Sequence, residues 1–367
     1  MNLSDFDYHL PPERIAQRPL AERDASRMLL LNRATRDWED RYFREFPALL
    51  RGDELVVVNN VRVLPARLFG RRAGIRAQDP GANNPARGEF LTAPIEVLLV
   101  RQLSPDTWET LVRPGRKTPV GERIVFGEDK ERKGEAELEA VVEARGDFGL
   151  RIVRFSSKSG FHEALDRLGH IPLPPYIKRE DESTDRERYQ TIFAKRGVAV
   201  AAPTAGLHFT PAILELIHEK RIEIAEITLD VGLGTFEPVR TERIEDHKIH
   251  AESYEIPEAA VAAIERARGE NRPILAVGTT VVRALEDAAE KGSGRVAPGK
   301  AEASIFLYPG KPFRVVTQLL TNFHLPQSTL LALVSAFAGR ENVLHAYRHA
   351  VEAQYRFYSY GDCMLLR

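Results

Sequence analysis

The sequence predicts an α/β protein with a largely parallel or mixed sheet, carrying a small antiparallel β-barrel as an insertion. Three observations lead there. After about Gly160, apolar runs of strand length alternate with amphipathic helical stretches. Between about Val61 and Phe155 the pattern is six short β-branched runs separated by Gly and Pro turns. The first sixty residues read as α/β material again, so the β-rich block interrupts one domain. The expected organisation is a discontinuous α/β catalytic domain over 1–60 and 156–367, with an inserted barrel over 61–155. A chain of 367 residues is too long for one ordinary core, which fits two domains.

The elements follow in order. "SRMLLLNRATRDWEDRYF" reads as strand, turn and strand, and "GDELVVVNN" as a strong strand entering the β-rich block. The six barrel strands are expected in "RVLPARLFGRR", "PIEVLLVRQL", "TWETLVRPGRK", "ERIVFG", "EAELEAVVEAR" and "FGLRIVRF". "QDPGANNPARGEFLT" (78–92) is rich in Pro, Gly and Asn and reads as a mobile loop. "GVAVAAPTA" is a buried-strand run leading into the helix "TPAILELIHEKR", where Thr210 suits the N-cap and Pro211 the first helical position. "IEIAEITLDVG" is the next strand. "PEAAVAAIERAR" is a helix, "PILAVGTT" a strand, and "VVRALEDAAEKG" a helix stopped by Gly292. "ASIFLYPG" and "RVVTQLLTNF" read as strands, then "QSTLLALVSAFAG" and "ENVLHAYRHAVEAQ" as helices.

Composition narrows the function. Hydrophobic residues make up 43% and charged residues 29%, an ordinary globular balance. A net charge of −1 argues against a wholesale polyanion binder, but it allows a local basic face. No run of 18 apolar residues appears, and the N-terminus "MNLSDFDYHLPPERIAQRP" resembles neither a signal nor a transit peptide. Cys363 is the only cysteine, which excludes a disulfide framework or a cysteine zinc cluster. The expectation is a cytoplasmic protein acting as a monomer.

In open α/β sheets ligands bind beyond the carboxyl ends of the strands. Four unusual stretches are expected at such ends: "PTAGLHFT" (203–210), "VGLGTFEP" (231–238), "VGTTVVR" (277–283) and "TNFHLPQST" (321–329). Each combines small residues, which let backbone approach a ligand, with hydroxyl, amide or imidazole groups. In two of them a helix N-terminus follows closely. "GLGTFE" is not a dinucleotide fingerprint, because Glu237 stands where the third glycine belongs. "DHKIHAE" offers His247, His250 and Glu252 at a spacing open to a metal, but it lacks the i, i+4 histidine pair of metalloproteases; no metal is expected. There is no G-x-S-x-G and no P-loop.

Taken together, the motifs resemble the S-adenosylmethionine:tRNA ribosyltransferase-isomerase family of bacterial queuosine biosynthesis. The stretches that carry the resemblance run from "FDYHLPPERIAQRP" through "LVVVNNVRVLPARLFG", "RPGRK", "LPPYI", "RYQTIFA", "VAAPTAGLHFT", "TLDVGLGTFEPV", "HKIHAE", "AVGTTVVRALE" and "TNFHLPQSTLLALVSAF" to "YRFYSYGDCMLL". Many relatives carry His at the position of Asp230 and Met at that of Ile249, so no acid–base role is assigned to Asp230. The resemblance implies transfer and isomerisation of the ribosyl moiety of S-adenosylmethionine onto 7-aminomethyl-7-deazaguanine at the tRNA wobble position. Epoxyqueuosine-tRNA forms, and adenine and methionine leave. S-adenosylmethionine is then a cosubstrate, and tRNA carrying the precursor base is the partner. The alternatives are an S-adenosylmethionine-dependent RNA methyltransferase, a metal-dependent hydrolase built on "DHKIHAE", and a non-catalytic RNA-binding protein.

Such a reaction must move three protons: from the acidified ribose C5′, onto the departing adenine, and off the attacking amine. Groups titrating near neutrality serve best, so His208, His247, His250 and His324 are the candidate catalytic residues, with Glu252 to orient or share a proton. A sulfonium favours an aromatic face, which Phe209, Phe236, Phe323 and Tyr358 supply. Gly206, Gly232 and Gly234 let backbone lie close to the nucleoside, and Thr204, Thr235, Thr279, Thr280, Arg283 and Asn322 complete the expected substrate-binding set. In the β-rich block, "FGRRAGIR" brings Arg71, Arg72 and Arg76 to turns, and "RPGRK" brings Arg113, Arg116 and Lys117. The last three are the expected tRNA contacts.

Overall fold

The computed structural model describes residues 1–74, 94–127, 136–146, 149–232, 241–247 and 249–367. Arg76 and the expected loop 78–92 lie outside the described residues. Two compact units make up the chain. One comprises Met1–Arg62, Pro174–Glu180 and Glu187–Arg367; the other comprises Val63–Leu173 and Asp181–Arg186.

The larger unit is built on a mixed nine-stranded sheet. Its order is Gly299–Ala303, Glu252–Ile256, Glu223–Leu229, Leu55–Asn59, Ile274–Val277, Gln318–Asn322, Cys363–Leu366, Arg27–Leu31 and Trp38–Tyr42. The four central strands, from Glu223–Leu229 to Gln318–Asn322, are parallel, so their carboxyl ends share one edge. Cys363–Leu366 enters antiparallel to Gln318–Asn322 and parallel to Arg27–Leu31.

Strand alternation sorts the apolar side chains onto two faces. Leu55, Val57, Ile274, Ala276 and Leu319 join one core with the helices Glu258–Gly269, Thr279–Lys291, Thr329–Ala338 and Arg340–Glu352. Val56, Val58, Leu275, Val277 and Leu320 join the other, with Phe43, Phe46, Phe209 and the helix Pro211–Glu219. This is why "LVVV" and "ILAV" are apolar throughout: both of their faces are covered. Thr210 caps Pro211–Glu219 as expected, its hydroxyl accepting from Ile213 N–H at 3.2 Å.

Two expected strands differ. "ASIFLYPG" is not one, because the strand Gly299–Ala303 stops where that run begins. The Asp287 carboxylate takes the N–H groups of Ser304 and Ile305, which a ladder would have needed. "GVAVAAPTA" supplies only the short strand Arg196–Ala199, outside the nine-stranded sheet.

The smaller unit contains a closed antiparallel barrel of six strands in the order Leu150–Ser156, Thr107–Arg113, Pro94–Gln102, Arg67–Gly74, Arg123–Phe126 and Leu138–Arg145. Trp108, Phe126, Phe155, Leu68 and Val97 fill its interior. Gly70 is required there, since a Cβ would lie 2.5 Å from Phe126 Cδ1 and 2.6 Å from Val125 O. The unit continues past Phe155 into the helix Phe161–Leu168, whose Phe161 ring packs against Trp108 and Phe155. Arg72, grouped by sequence with exposed turn arginines, is instead buried in the barrel and paired with Glu122 at 2.5 Å.

Candidate active site

A cavity opens at the carboxyl edge of the parallel strands. All four unusual stretches contribute described residues to its lining. Val231 follows Glu223–Leu229, Gly278 to Thr280 follow Ile274–Val277, and Asn322 ends Gln318–Asn322. Ala201 to Ala205 contribute small residues from the approach to the 3-10 turn Thr204–His208.

Asn322 is the most constrained polar residue of this wall. The two protons of its Nδ2 are shared among three acceptors, His208 Nε2 at 3.3 Å, Tyr358 O at 3.1 Å and Asp362 O at 3.4 Å. Three acceptors around one nitrogen fix which way the amide points. Its Oδ1 is buried and has no hydrogen-bond partner. Because His208 Nε2 accepts, Nδ1 carries the proton and donates to Ser26 Oγ at 2.9 Å; Ser26 Oγ in turn donates to Arg23 O at 3.0 Å. Burial, with the nearby Arg23 charge, pulls the His208 pKa down to about 3, so the ring is neutral.

The turn that carries His208 is shaped by its neighbours. Gly206 packs against Thr191, whose Cγ2 would lie 2.9 Å from an added Cβ, and Arg23 holds the turn's exit by donating to Leu207 O at 3.2 Å. The imidazole is thereby turned inward, 3% exposed, with Phe43 at 5.3 Å. His208 does not line the cavity; it stands behind Asn322.

His324 does line it. Its backbone is pinned on both sides: its N–H donates to Tyr347 OH at 3.0 Å, and its carbonyl accepts from Tyr8 OH at 2.5 Å. His324 Nε2 shares a 2.8 Å hydrogen bond with Thr321 Oγ1, whose hydroxyl also lies 3.3 Å from Asn322 O. Burial lowers its pKa to about 3 as well.

The rest of the lining is aromatic and hydroxylic. Tyr358 stacks on Tyr176 with centroids 4.4 Å apart, and Tyr176 OH shares a 2.6 Å hydrogen bond with Ser359 Oγ. Tyr358 adopts φ 72°, an uncommon conformation for a bulky side chain and one that fixes its carbonyl against Asn322. Two helices begin at the wall. Gly278, with φ 96°, hands over to Thr279–Lys291, and Ser328 caps Thr329–Ala338 by accepting from Leu331 N–H at 3.1 Å. Thr280 Oγ1 and Tyr358 OH, like Asn322 Oδ1, are buried without a hydrogen-bond partner. Among the described lining residues none carries a charge. Burial raises the pKa of Tyr176 and Tyr358 well above the usual phenol range, so both stay neutral.

The residues expected from sequence divide accordingly. Thr204, Thr279, Thr280, Asn322, Phe323, His324 and Tyr358 line the cavity. His208, Gly206, Phe209, Gly232, His247, His250, Glu252 and Arg283 do not. Phe209 lies in a fully buried cluster with Phe43, Phe46 and Phe193. Glu252 and Arg283 form a buried ion pair; Glu252 Oε1 also accepts from Gly232 N–H at 3.3 Å, and Arg283 donates to His250 O and Ala303 O. The pair fastens the chain just past Val231. His247 packs edge-on against Phe306, and His250 is exposed. Among the described residues no three His, Cys, Asp or Glu side chains converge as metal ligands. Gly234, Thr235 and Phe236 lie outside the described residues. Arg113 and Arg116 are exposed at the end of Thr107–Arg113 and in the following 3-10 turn Gly115–Lys117; the Lys117 side chain is not described.

Tyr176, Gly278, Ser328 and Ser359 were not singled out from sequence. Tyr176 follows two prolines in an irregular segment, and its only signal is the aromatic in "LPPYI". Gly278 could have been read as the glycine that joins a buried strand to a helix.

Comparison with known proteins agrees with this architecture. The sequence model of a family described as queuosine biosynthesis protein matches residues 3–366. The S-adenosylmethionine:tRNA ribosyltransferase-isomerase of Solibacter usitatus is 54% identical over 368 residues, covering 100% of both chains. The protein of the same name from Moorella thermoacetica is 49% identical over 367 residues with the same coverage. A crystal structure of S-adenosylmethionine tRNA ribosyltransferase from Thermotoga maritima aligns at 35% identity with a TM-score of 0.53, over 99% of this chain and 100% of that one.

Proposed function

Since this chain belongs to the queuosine biosynthesis protein family, we propose that its cavity is where it carries out the S-adenosylmethionine:tRNA ribosyltransferase-isomerase reaction. The ribosyl moiety of S-adenosylmethionine is transferred and isomerised onto the aminomethyl group of 7-aminomethyl-7-deazaguanine in tRNA. The products are epoxyqueuosine-tRNA, adenine and methionine. One observation carries the site reading: Thr280 Oγ1, Asn322 Oδ1 and Tyr358 OH are buried, partnerless, and belong to residues of one uncharged cavity. Unsatisfied buried polar atoms are costly, and a ligand that pairs them recovers that cost.

Each group has a task suited to its chemistry. Asn322 Oδ1 accepts from an N–H donor of the nucleoside. Its partner His208 acts as a positioning residue, neutral and fixed by Ser26. His324 lines the cavity as a neutral ring that hydrogen-bonds the nucleoside; burial holds its pKa at about 3, too low for the near-neutral proton carrier expected from sequence. The Tyr176–Tyr358 stack gives the sulfonium an aromatic wall in place of a carboxylate. The N-termini of Thr279–Lys291 and Thr329–Ala338 favour the methionine carboxylate. Thr204, Thr279 and Phe323 complete the wall. Glu252 and Arg283 hold Val231 and Gly232 in place. Arg113, Arg116 and Lys117 take phosphates of the tRNA. The enzyme acts in the cytoplasm, where tRNA is, and as a monomer, which sedimentation velocity checks.

The test is incubation with S-adenosylmethionine and precursor tRNA, followed by nucleoside mass analysis. Epoxyqueuosine with free adenine and methionine is the expected outcome. S-adenosylhomocysteine with a methylated nucleoside would instead make the chain a methyltransferase. Asn322→Ala should slow product formation by about 100-fold or more while leaving tRNA binding intact; a fully active variant would move the site elsewhere.

A further inference from the structure

We propose that Phe69, on the outer face of the barrel, is a stacking platform for an unpaired nucleobase of the tRNA, flanked by Arg71 and Arg113 as phosphate contacts. The inference rests on tRNA being the substrate. Phe69 is 51% exposed in the middle of the strand Arg67–Gly74, where its neighbours Leu68 and Arg72 point inward. Strand register sets what surrounds it. Phe69 lies opposite Glu96, and Glu96 lies opposite Arg113, so the three form one cross-strand row on the outer face. Arg67 and Arg71 are two positions away on the same strand and face.

The ring is held rather than loose. His170 packs against it at 5.0 Å with an interplanar angle of 73°. His170 Nδ1 in turn meets Asp181 Oδ1 at 2.8 Å, and the other oxygen of Asp181 accepts from Ile171 N–H at 2.9 Å. An exposed phenyl ring oriented through a histidine and an anchored carboxylate is pre-ordered to stack, which lowers the entropic cost of binding. A lone exposed Phe would carry little weight; the charges around it add to the case. Arg67 is neutralised by Glu96 at 3.2 Å. Arg71 and Arg113 are exposed and have no ion-pair partner among the described residues, although Arg101, Arg123, Arg154 and Arg167 of the same unit are all paired. Unpaired cations beside an exposed aromatic ring fit a single-stranded polyanion: phosphates meet the guanidinium groups and a base covers the ring.

The test measures tRNA affinity of the full-length protein for Phe69→Ala, Phe69→Trp and the parent across a salt series. Stacking releases no counterions, so Phe69→Ala should weaken binding about tenfold with an unchanged salt slope. Phe69→Trp should retain affinity and show indole fluorescence quenched by tRNA. Affinity for S-adenosylmethionine should be unchanged in both variants. If the parent binds and modifies tRNA but Phe69→Ala binds equally well, the platform is wrong and the function stands. If the parent neither binds nor modifies tRNA, the function fails and the platform with it. If Phe69→Ala changes only self-association, the ring serves an interface between copies, which also overturns the proposal.

Discussion

At the cavity every described lining side chain is uncharged, whereas on the barrel's outer face Arg71, Arg113 and, at the adjoining turn, Arg116 stand exposed without carboxylate partners among the described residues. The two regions are suited to opposite demands. A small cationic nucleoside is held by shape, aromatic faces and single hydrogen bonds, because a fixed charge in a closed, poorly hydrated space must be desolvated whether or not the ligand arrives. A long polyanion is met by solvated charges, which cost nothing to keep exposed and act through counterion release. Where charge does enter the larger unit near the site, as in Glu252–Arg283, it is paired internally and holds backbone.

That contrast breaks most easily at Glu252. If the carboxylate is a fastener, Glu252→Gln leaves Arg283 buried without its counter-charge and should cost about 3–5 kcal/mol of stability. Thermal unfolding reads this directly. The double variant Glu252→Met with Arg283→Met removes both charges and should recover much of the loss. A Glu252→Gln protein that keeps its melting temperature but loses turnover would return Glu252 to the chemistry.

Asn322 sharpens the same contrast from the uncharged side. Removing one preorganised hydrogen-bonding group from a closed site lowers turnover by about 100-fold or more. Asn322→Ala should therefore cut kcat/KM for S-adenosylmethionine by that order. His208→Gln, which can still accept from Asn322, should lose far less than His208→Ala. Equal losses for the two would make the imidazole itself a proton carrier.

The neutral histidines also give the larger unit an acid limit. His208 and His324 have folded pKa values of about 3, below the usual 6.5, so below pH 6.5 the unfolded chain takes up protons that the folded one refuses. Stability should be insensitive to these groups above pH 7 and fall from about pH 6.5 down towards pH 3, by about 1.4 kcal/mol per pH unit for each. Denaturant unfolding between pH 8 and 5 checks the slope, and His208→Gln should remove about half of it.

The fold was legible wherever periodicity and turn chemistry act over a few residues. "LVVV", "PILAV" and the Leu319–Leu320 pair are apolar because both faces of those strands are covered, and the barrel shows in its turns. What escaped was long-range. Nothing in "CMLL" says that it inserts between Gln318–Asn322 and Arg27–Leu31. At the site, residue type pointed to Asn322, His324 and Tyr358, which line the cavity. It could not show that His208 turns its ring inward to Ser26, or that Glu252 is claimed by an arginine 31 residues away. Arg72 was misread for the same reason: its buried partner Glu122 is 50 residues distant.

The smallest effect is expected where charge is most solvated. Arg113 and Arg116 are exposed and make no ion pair among the described residues, so their removal should leave the barrel's folding unchanged. If each meets one phosphate, Arg113→Ala with Arg116→Ala lowers the slope of log affinity against log salt by about 2 units, since each contact releases roughly 0.9 counterion. Affinity should therefore differ most from the parent at low salt and converge at high salt, opposite to the salt-independent loss expected of Phe69→Ala. Binding of S-adenosylmethionine should not move, because that ligand carries no phosphate and the cavity presents no described charge. Equilibrium tRNA binding over a salt series separates the cases. An unchanged slope would mean that these arginines are ordinary solvated turn residues, and the division of labour between an uncharged cavity and a charged barrel face would have to be redrawn.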